Sequence, residues 1–136
     1  MKELIRILLV EDDQDDIDLL HDLLVNNNLP FKMDVLTEGD SVIPWLSDAK
    51  ILPHIIVMDL NLPKLHGRDV LIKIKGAKEF KGIPLLVLTT SSFSEDRDFC
   101  LSLGASEYFC KPSTLSGLSE LITTIIQVSA WSAQNN

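Results

Sequence analysis

Short, continuously apolar segments alternate with amphipathic segments along most of the chain. The apolar segments are rich in Val, Ile and Leu, and each is short enough to be a single strand. Such runs are typical of parallel strands that are buried on both faces. We therefore predict five strands, at Ile5–Val10, Lys32–Leu36, Ile55–Asp59, Leu85–Thr89 and Glu107–Cys110.

The segments between these strands carry apolar residues at helical spacing. Ile17, Leu20 and Leu24 repeat at intervals of three and four residues, and similar stripes follow the later strands. The closing segment, from Leu115 to Trp131, has a broader apolar arc and predicts a long final helix. Alternating strands and helices predict an α/β fold, with a parallel sheet between two layers of helices.

Length and composition favour one soluble domain. The chain has 136 residues, and we interpret residues 1–136 as a single domain with no output domain attached. No apolar run approaches the roughly 20 residues of a membrane span, and the N-terminus does not resemble a signal peptide, so we expect a cytoplasmic protein without membrane contact. Cys100 and Cys110 are expected to be reduced, buried thiols.

The charge is negative and unevenly distributed. A formal charge of −8 repels phosphate backbones, so we expect no nucleic acid partner. Seven of the twelve residues between Glu11 and Asp22 are acidic. These acids either form a solvated helix face or contribute to a cation site, and the sequence leaves both interpretations open.

Five polar residues follow the predicted strands at their carboxyl ends. They are Glu11 and Asp12 after the first strand, Asp59 at the third, Thr89 at the fourth and Lys111 after the fifth. In an open parallel sheet these ends share one edge, where ligands bind. Three carboxylates in one cleft repel one another unless a cation is present, and Mg²⁺ prefers oxygen ligands.

The same residues can perform chemistry on a phosphoryl group. A carboxylate such as Asp59 can attack phosphorus and form an acyl phosphate when cations offset the charge. Lys111 supplies a compact positive charge, and Thr89 supplies a hydroxyl donor. Asp13 lies one position beyond the acidic pair and is predicted to cap the first helix or face water.

With these residues in place, the chain resembles the receiver domain of two-component response regulators. The resemblance rests on Ile7-Leu8-Leu9-Val10-Glu11-Asp12-Asp13 and on Met58-Asp59-Leu60-Asn61-Leu62-Pro63 with Gly67, and the spacings to Thr89 and Lys111 also agree. It implies a flavodoxin-like sheet of order 2-1-3-4-5 with five helices. It also implies phosphorylation of Asp59 by a histidine kinase.

The resemblance further implies a role for each site residue. Glu11 and Asp12 would arrange Mg²⁺, with Asp12, Asp59 and the backbone carbonyl of Asn61 as ligands. Lys111 and Thr89 would hold the phosphoryl group.

A conformational switch is implied as well. Thr89 would move toward the phosphoryl group and Tyr108 would turn inward, which changes the face formed by the fourth helix, fifth strand and fifth helix. A cis Lys111–Pro112 bond is also implied.

The implied partners are a sensor histidine kinase and a downstream protein. A narrower resemblance, carried by Leu88-Thr89-Thr90-Ser91-Ser92 and the closing helix, is to small regulators paired with bacterial phytochromes. It implies a phytochrome kinase and a homodimer. The expected protein is not an enzyme beyond its own phosphorylation and dephosphorylation.

Two other functions remain open on the sequence. A Mg²⁺ phosphohydrolase would also use Asp59 as nucleophile, but Asn61 stands where such hydrolases commonly have a second aspartate. A degenerate receiver would bind partners without phosphorylation, although degenerate members tend to lose some of the residues that this chain retains.

Overall fold

A five-stranded parallel sheet forms the centre of the computed structural model, which describes residues 4–134. Residues 1–3 and 135–136 of the predicted domain lie outside the described residues. The sheet order is β2-β1-β3-β4-β5, as predicted. The strands are β1 (Ile5–Val10), β2 (Phe31–Leu36), β3 (Ile55–Met58), β4 (Leu85–Thr89) and β5 (Glu107–Cys110).

Five helices connect and follow the strands. They are α1 (Gln14–Val25), α2 (Val42–Asp48), α3 (Gly67–Gly76), α4 (Ser94–Ser102) and α5 (Leu115–Gln134), and a 3₁₀ turn at Gly39–Ser41 precedes α2. The longest, α5, extends past the predicted end at Trp131. Within residues 4–134, no helix combines the length and apolarity needed to cross a membrane.

The strands divide their apolar side chains between two faces, because successive residues of a strand point in opposite directions. On one face, residues such as Ile7 and Val57 pack against α1 and α5. On the other face, residues such as Leu8 and Met58 pack against α2, α3 and α4. Both faces of the central strands are therefore buried, which explains their continuous apolar runs.

The edge strand β5 differs from the central strands. Its end residues, Glu107 and Cys110, are exposed, and Tyr108 and Phe109 are half-buried. The prediction that both cysteines are buried is therefore wrong for Cys110, because an edge strand has a sheet neighbour on one side only. Cys100, on α4, is fully buried, and both thiols are free.

Gly67 begins α3 at a point of close backbone contact with the end of β3. Its N–H donates to the Leu60 carbonyl at 2.7 Å. A Cβ atom at this position would lie 2.5 Å from the Asp59 carbonyl oxygen and 2.6 Å from the Leu60 Cα. Both of these are backbone atoms and cannot rotate away, so only glycine fits here without a shift of the loop that carries Asp59.

We predict that Gly67→Ala lowers the free energy of unfolding by about 2 kcal/mol or more, since the added methyl group forces backbone atoms apart. Gly76→Ala is the matched control, because a Cβ at Gly76 has no neighbour within 4 Å. The control should keep or slightly raise stability, since alanine is the better helix residue. Urea denaturation of both variants measures the difference, and equal stability would contradict the close-contact argument.

Candidate functional site

The register of the strands brings the acidic residues that follow β1 and β3 to one edge of the sheet. Val10 pairs with Met58 in the parallel ladder, so the next residues, Glu11 and Asp59, leave the sheet side by side. The Asp59 N–H donates to the Val10 carbonyl at 3.0 Å, which extends the ladder by one bond beyond β3. The predicted meeting of these segments is therefore present.

Three carboxylates form a cluster at this edge. Oxygen atoms of Glu11, Asp12 and Asp59 lie within 4.8 Å of one another. Glu11 and Asp59 are buried, at 2% and 5% exposure, whereas Asp12 is exposed. An oxygen-only donor set that opens to solvent on one side fits a hard divalent cation such as Mg²⁺, which retains several waters.

Asp13 has a different role from its two neighbours. Its Oδ1 atom accepts hydrogen bonds from the N–H groups of Asp15 at 2.9 Å and Asp16 at 3.4 Å, so it caps α1. This confirms the prediction that Asp13 caps the helix. Its N–H donates to Glu11 Oε1 at 3.1 Å, which ties the start of α1 to the carboxylate cluster.

Lys111 joins three carboxylates with one ammonium group. Its Nζ atom lies 2.7 Å from Asp16 Oδ2, 2.9 Å from Glu11 Oε2 and 3.0 Å from Asp59 Oδ2. The side chain reaches them from the end of β5 and is itself mostly buried. Lys111 thus supplies positive charge against the carboxylates of the cleft.

The Lys111–Pro112 bond differs from the expectation. The described residues contain no cis peptide bond, so this bond is trans and the implied cis isomer is wrong for this structure. The trans form is the more stable one for most X–Pro bonds, by about 0.5–1 kcal/mol. From this geometry the ammonium already reaches its three partners.

Burial and pairing act in opposite directions on the charged groups. Burial raises the pKa of Glu11, and the nearby charge of Asp59 adds to this rise, although hydrogen bonds from Lys111 and the Asp13 N–H partly offset it. Burial alone would lower the pKa of Lys111, but its bonds to Asp16, Glu11 and Asp59 outweigh burial and raise it. The lysine is therefore firmly protonated at neutral pH.

Asp16 was not among the predicted site residues. From sequence, the acidic run between Glu11 and Asp22 fits either a solvated helix face or a cation site, and most of its members are in fact exposed. Asp16 lies in the first turn of α1, which Asp13 caps, and so stands beside the carboxyl edge of the sheet. The position of that cap was the one sequence signal that could have identified it.

Thr89 and Tyr108 each form a hydrogen bond with the backbone of Ser91, in the loop after β4. Thr89 is fully buried, and its Oγ1 accepts a bond from the Ser91 N–H at 3.4 Å. The Ser91 carbonyl accepts bonds from the Tyr108 hydroxyl at 2.9 Å and the Cys110 thiol at 3.3 Å. The Lys111 N–H donates to the Thr89 carbonyl at 2.8 Å, which links the same loop to the cleft.

Asn61 lies just beyond Asp59 in the loop to α3. Its N–H donates to Asp59 Oδ1 at 3.3 Å and so helps to orient the carboxylate. This contact keeps Asn61 next to the cluster. Its carbonyl as a metal ligand stays a prediction.

Comparisons with known proteins indicate the same family for this chain. The model of the response regulator receiver domain matches residues 7–123. The response regulator Rcp1 from Synechocystis sp. is 33% identical over an alignment of 124 positions, which covers 88% of this chain and 84% of that protein.

Two solved structures share this fold and are also similar to this chain in sequence. The phosphorylated cyanobacterial phytochrome response regulator RcpA superposes with a TM-score of 0.82 at 29% identity, over 98% of this chain and 97% of that one. The Mn²⁺-bound response regulator Rcp1 superposes with a TM-score of 0.80 at 32% identity, over 89% and 91%. Each superposition covers most of this chain and most of the chain with which it is compared.

We predict that Mg²⁺ stabilises the folded protein through the carboxylate cluster. At about 100 times its dissociation constant, the ion should raise the free energy of unfolding by about 2.7 kcal/mol. Asp12→Asn should bind Mg²⁺ about tenfold more weakly and lose about 1.4 kcal/mol of that gain. Denaturant unfolding with and without MgCl₂ measures both.

Asp13→Asn is the matched control for this experiment. It removes the same charge one residue away, and asparagine is as good a helix cap as aspartate. It should keep the full Mg²⁺ effect. An equal Mg²⁺ effect in Asp12→Asn and the wild type would contradict the metal site.

Proposed function

The chain belongs to the response regulator receiver domain family, and we propose that it is a phosphorylation switch whose acceptor is Asp59. The receiver domain is homologous to those of two-component response regulators. The observation that carries the proposal is the environment of Asp59. Its buried carboxylate lies in a three-carboxylate cluster and is bound by Lys111 at 3.0 Å.

The proposed reaction is a phosphoryl transfer to Asp59. One carboxylate oxygen of Asp59 attacks phosphorus, a new P–O bond forms, and the bond from phosphorus to the donor breaks. The leaving atom of the donor keeps the electron pair of the broken bond, so that a phosphohistidine donor leaves as a neutral imidazole and acetyl phosphate leaves as the acetate anion. A bound Mg²⁺ would supply positive charge against the phosphoryl oxygens, and its proposed ligands are Asp12, Asp59 and the Asn61 carbonyl, with Glu11 arranging them.

The remaining polar residues are proposed to hold the transferred group. Lys111 donates to the phosphoryl oxygens from the side where its ammonium already contacts Asp59. Thr89, at the end of β4, donates a hydrogen bond from its hydroxyl group after a small movement that includes the following loop. A fixed positive charge and a hydroxyl donor are suited to charge that develops on phosphoryl oxygens.

The alternatives have less support. A phosphohydrolase needs an acid and base near the nucleophile, whereas the neighbouring loop has Asn61, whose amide acts as neither near neutral pH. A degenerate receiver commonly lacks part of the site, whereas Glu11, Asp12, Asp59 and Lys111 all converge here.

The proposed partner is a sensor histidine kinase of the phytochrome type, and the proposed location of this protein is the cytoplasm. Similarity to RcpA, which is named as a phytochrome response regulator, supports this choice. A downstream protein would then recognise the α4-β5-α5 face. A homodimer through α5 is also proposed, since Trp131 of this helix is an exposed apolar residue.

We predict that Asp59→Asn abolishes phosphoryl uptake, because the amide lacks a nucleophilic carboxylate oxygen. Intact-mass spectrometry after incubation with acetyl phosphate should show one added phosphoryl group on the wild type in the presence of Mg²⁺, and none without it. Asp40→Asn, a change at an exposed aspartate distant in sequence, should be labelled like the wild type. Labelling of Asp59→Asn would refute the assignment of the acceptor.

The switch should be visible at Cys110. Its thiol and the Tyr108 hydroxyl share the Ser91 carbonyl, and Ser91 follows the proposed mobile Thr89 by two residues. Movement of Thr89 toward the phosphoryl group should draw this carbonyl away from the thiol.

We predict that phosphorylation increases the rate at which iodoacetamide alkylates Cys110. Cys100, which is fully buried, should stay unreactive and serves as an internal control for unfolding. Asp59→Asn should show no change upon addition of acetyl phosphate and Mg²⁺. An unchanged Cys110 rate in fully phosphorylated protein would argue against a moving loop.

A further inference from the structure

The shortest of the three contacts of Lys111 is with a residue outside the carboxylate cluster. Asp16 Oδ2 lies 2.7 Å from Nζ, whereas Glu11 and Asp59 lie at 2.9 Å and 3.0 Å. The cluster of Glu11, Asp12 and Asp59 does not include Asp16. A cation bound in the cluster would therefore replace Lys111 as a partner of Glu11 and Asp59. Among the described residues, Lys111 would remain the partner of Asp16.

The ammonium is already in contact with three carboxylates. A lysine ammonium has three N–H donors; it donates one hydrogen bond each to Asp16 and Asp59 and forms an ion pair with Glu11 Oε2 at 2.9 Å. A phosphoryl group on Asp59 adds several acceptor oxygens to the cleft but no donor. Each new bond from Lys111 to a phosphoryl oxygen must therefore weaken or replace a bond to a present partner.

The position of Asp16 is fixed by its helix. Its own N–H is bound by the cap residue Asp13, and the next residue, Ile17, is buried against the sheet. The side chain is only about one-third exposed, so water does not fully screen its charge. Asp16 thus holds a fixed negative charge beside the ammonium.

We infer that Asp16 is a positioning residue that competes with the phosphoryl group on Asp59 for Lys111. This inference rests on the proposed function. Asp16 keeps the ammonium at the cleft before phosphorylation and weakens its bond to the phosphoryl group afterwards. Asp16→Asn keeps an oxygen that can accept one bond from Lys111 but removes the charge, so the lysine is freer to bind the phosphoryl group.

The test measures binding of beryllofluoride with Mg²⁺, a stand-in for the phosphoryl group on an aspartate, by isothermal titration calorimetry. Asp16→Asn should bind it about three- to tenfold more tightly than the wild type, in the range of coupling between contacting residues. Asp15→Asn removes an equal charge from the same helical turn, and Asp16→Glu restores the carboxylate. Both should lie within about twofold of the wild type.

A double variant shows whether the effect passes through Lys111. In a Lys111→Met background, Asp16→Asn should change the affinity by less than about twofold. An equal gain in that background means a general charge effect and overturns the inference, as does wild-type or weaker affinity of Asp16→Asn. Asp59→Asn separates the two proposals, because beryllofluoride that binds equally to this variant, or not to the wild type, refutes the acceptor itself.

Discussion

One ammonium group partly offsets the charge of three carboxylates at the carboxyl edge of the sheet, and the geometry of the cleft depends on these contacts. Two of these carboxylates, on Glu11 and Asp59, are buried, and their charges would repel each other strongly without Lys111. Burial alone disfavours the ionised form of Glu11, as the raised pKa of its carboxyl group shows. The carboxylates of this cleft are suited to bind a metal ion, and its ammonium is suited to bind a phosphoryl group.

The fold explains how these charges come together. Parallel strands end on the same side of the sheet, so β1, β3 and β5 deliver their following residues to one edge. Apolar side chains on both faces hold the strands in register, and the tight approach at Gly67 fixes the loop after Asp59. The chemistry is located in loops, while the burial that positions it is located in strands.

The sequence predicted the parts that local pattern determines. Apolar runs identified all five strands to within about one residue at their ends, and strand-end acids identified Glu11, Asp12 and Asp59. The contact of Asp16 with Lys111 joins residues 95 positions apart, and its one local signal is the helix cap at Asp13, which places Asp16 in the first turn of α1. The exposure of Cys110 depends on which strand lies at the sheet edge, which the apolar pattern alone does not tell.

That separation along the chain has a consequence for biosynthesis. Every acidic residue of the cleft precedes Gly67. The cationic residue of the cleft, Lys111, follows β5 near the end of the chain. During translation the carboxylates therefore leave the ribosome well before their lysine does. The acidic half of the site is therefore synthesised first, and the contacts that offset its charge form only when the segment after β5 joins the rest of the fold.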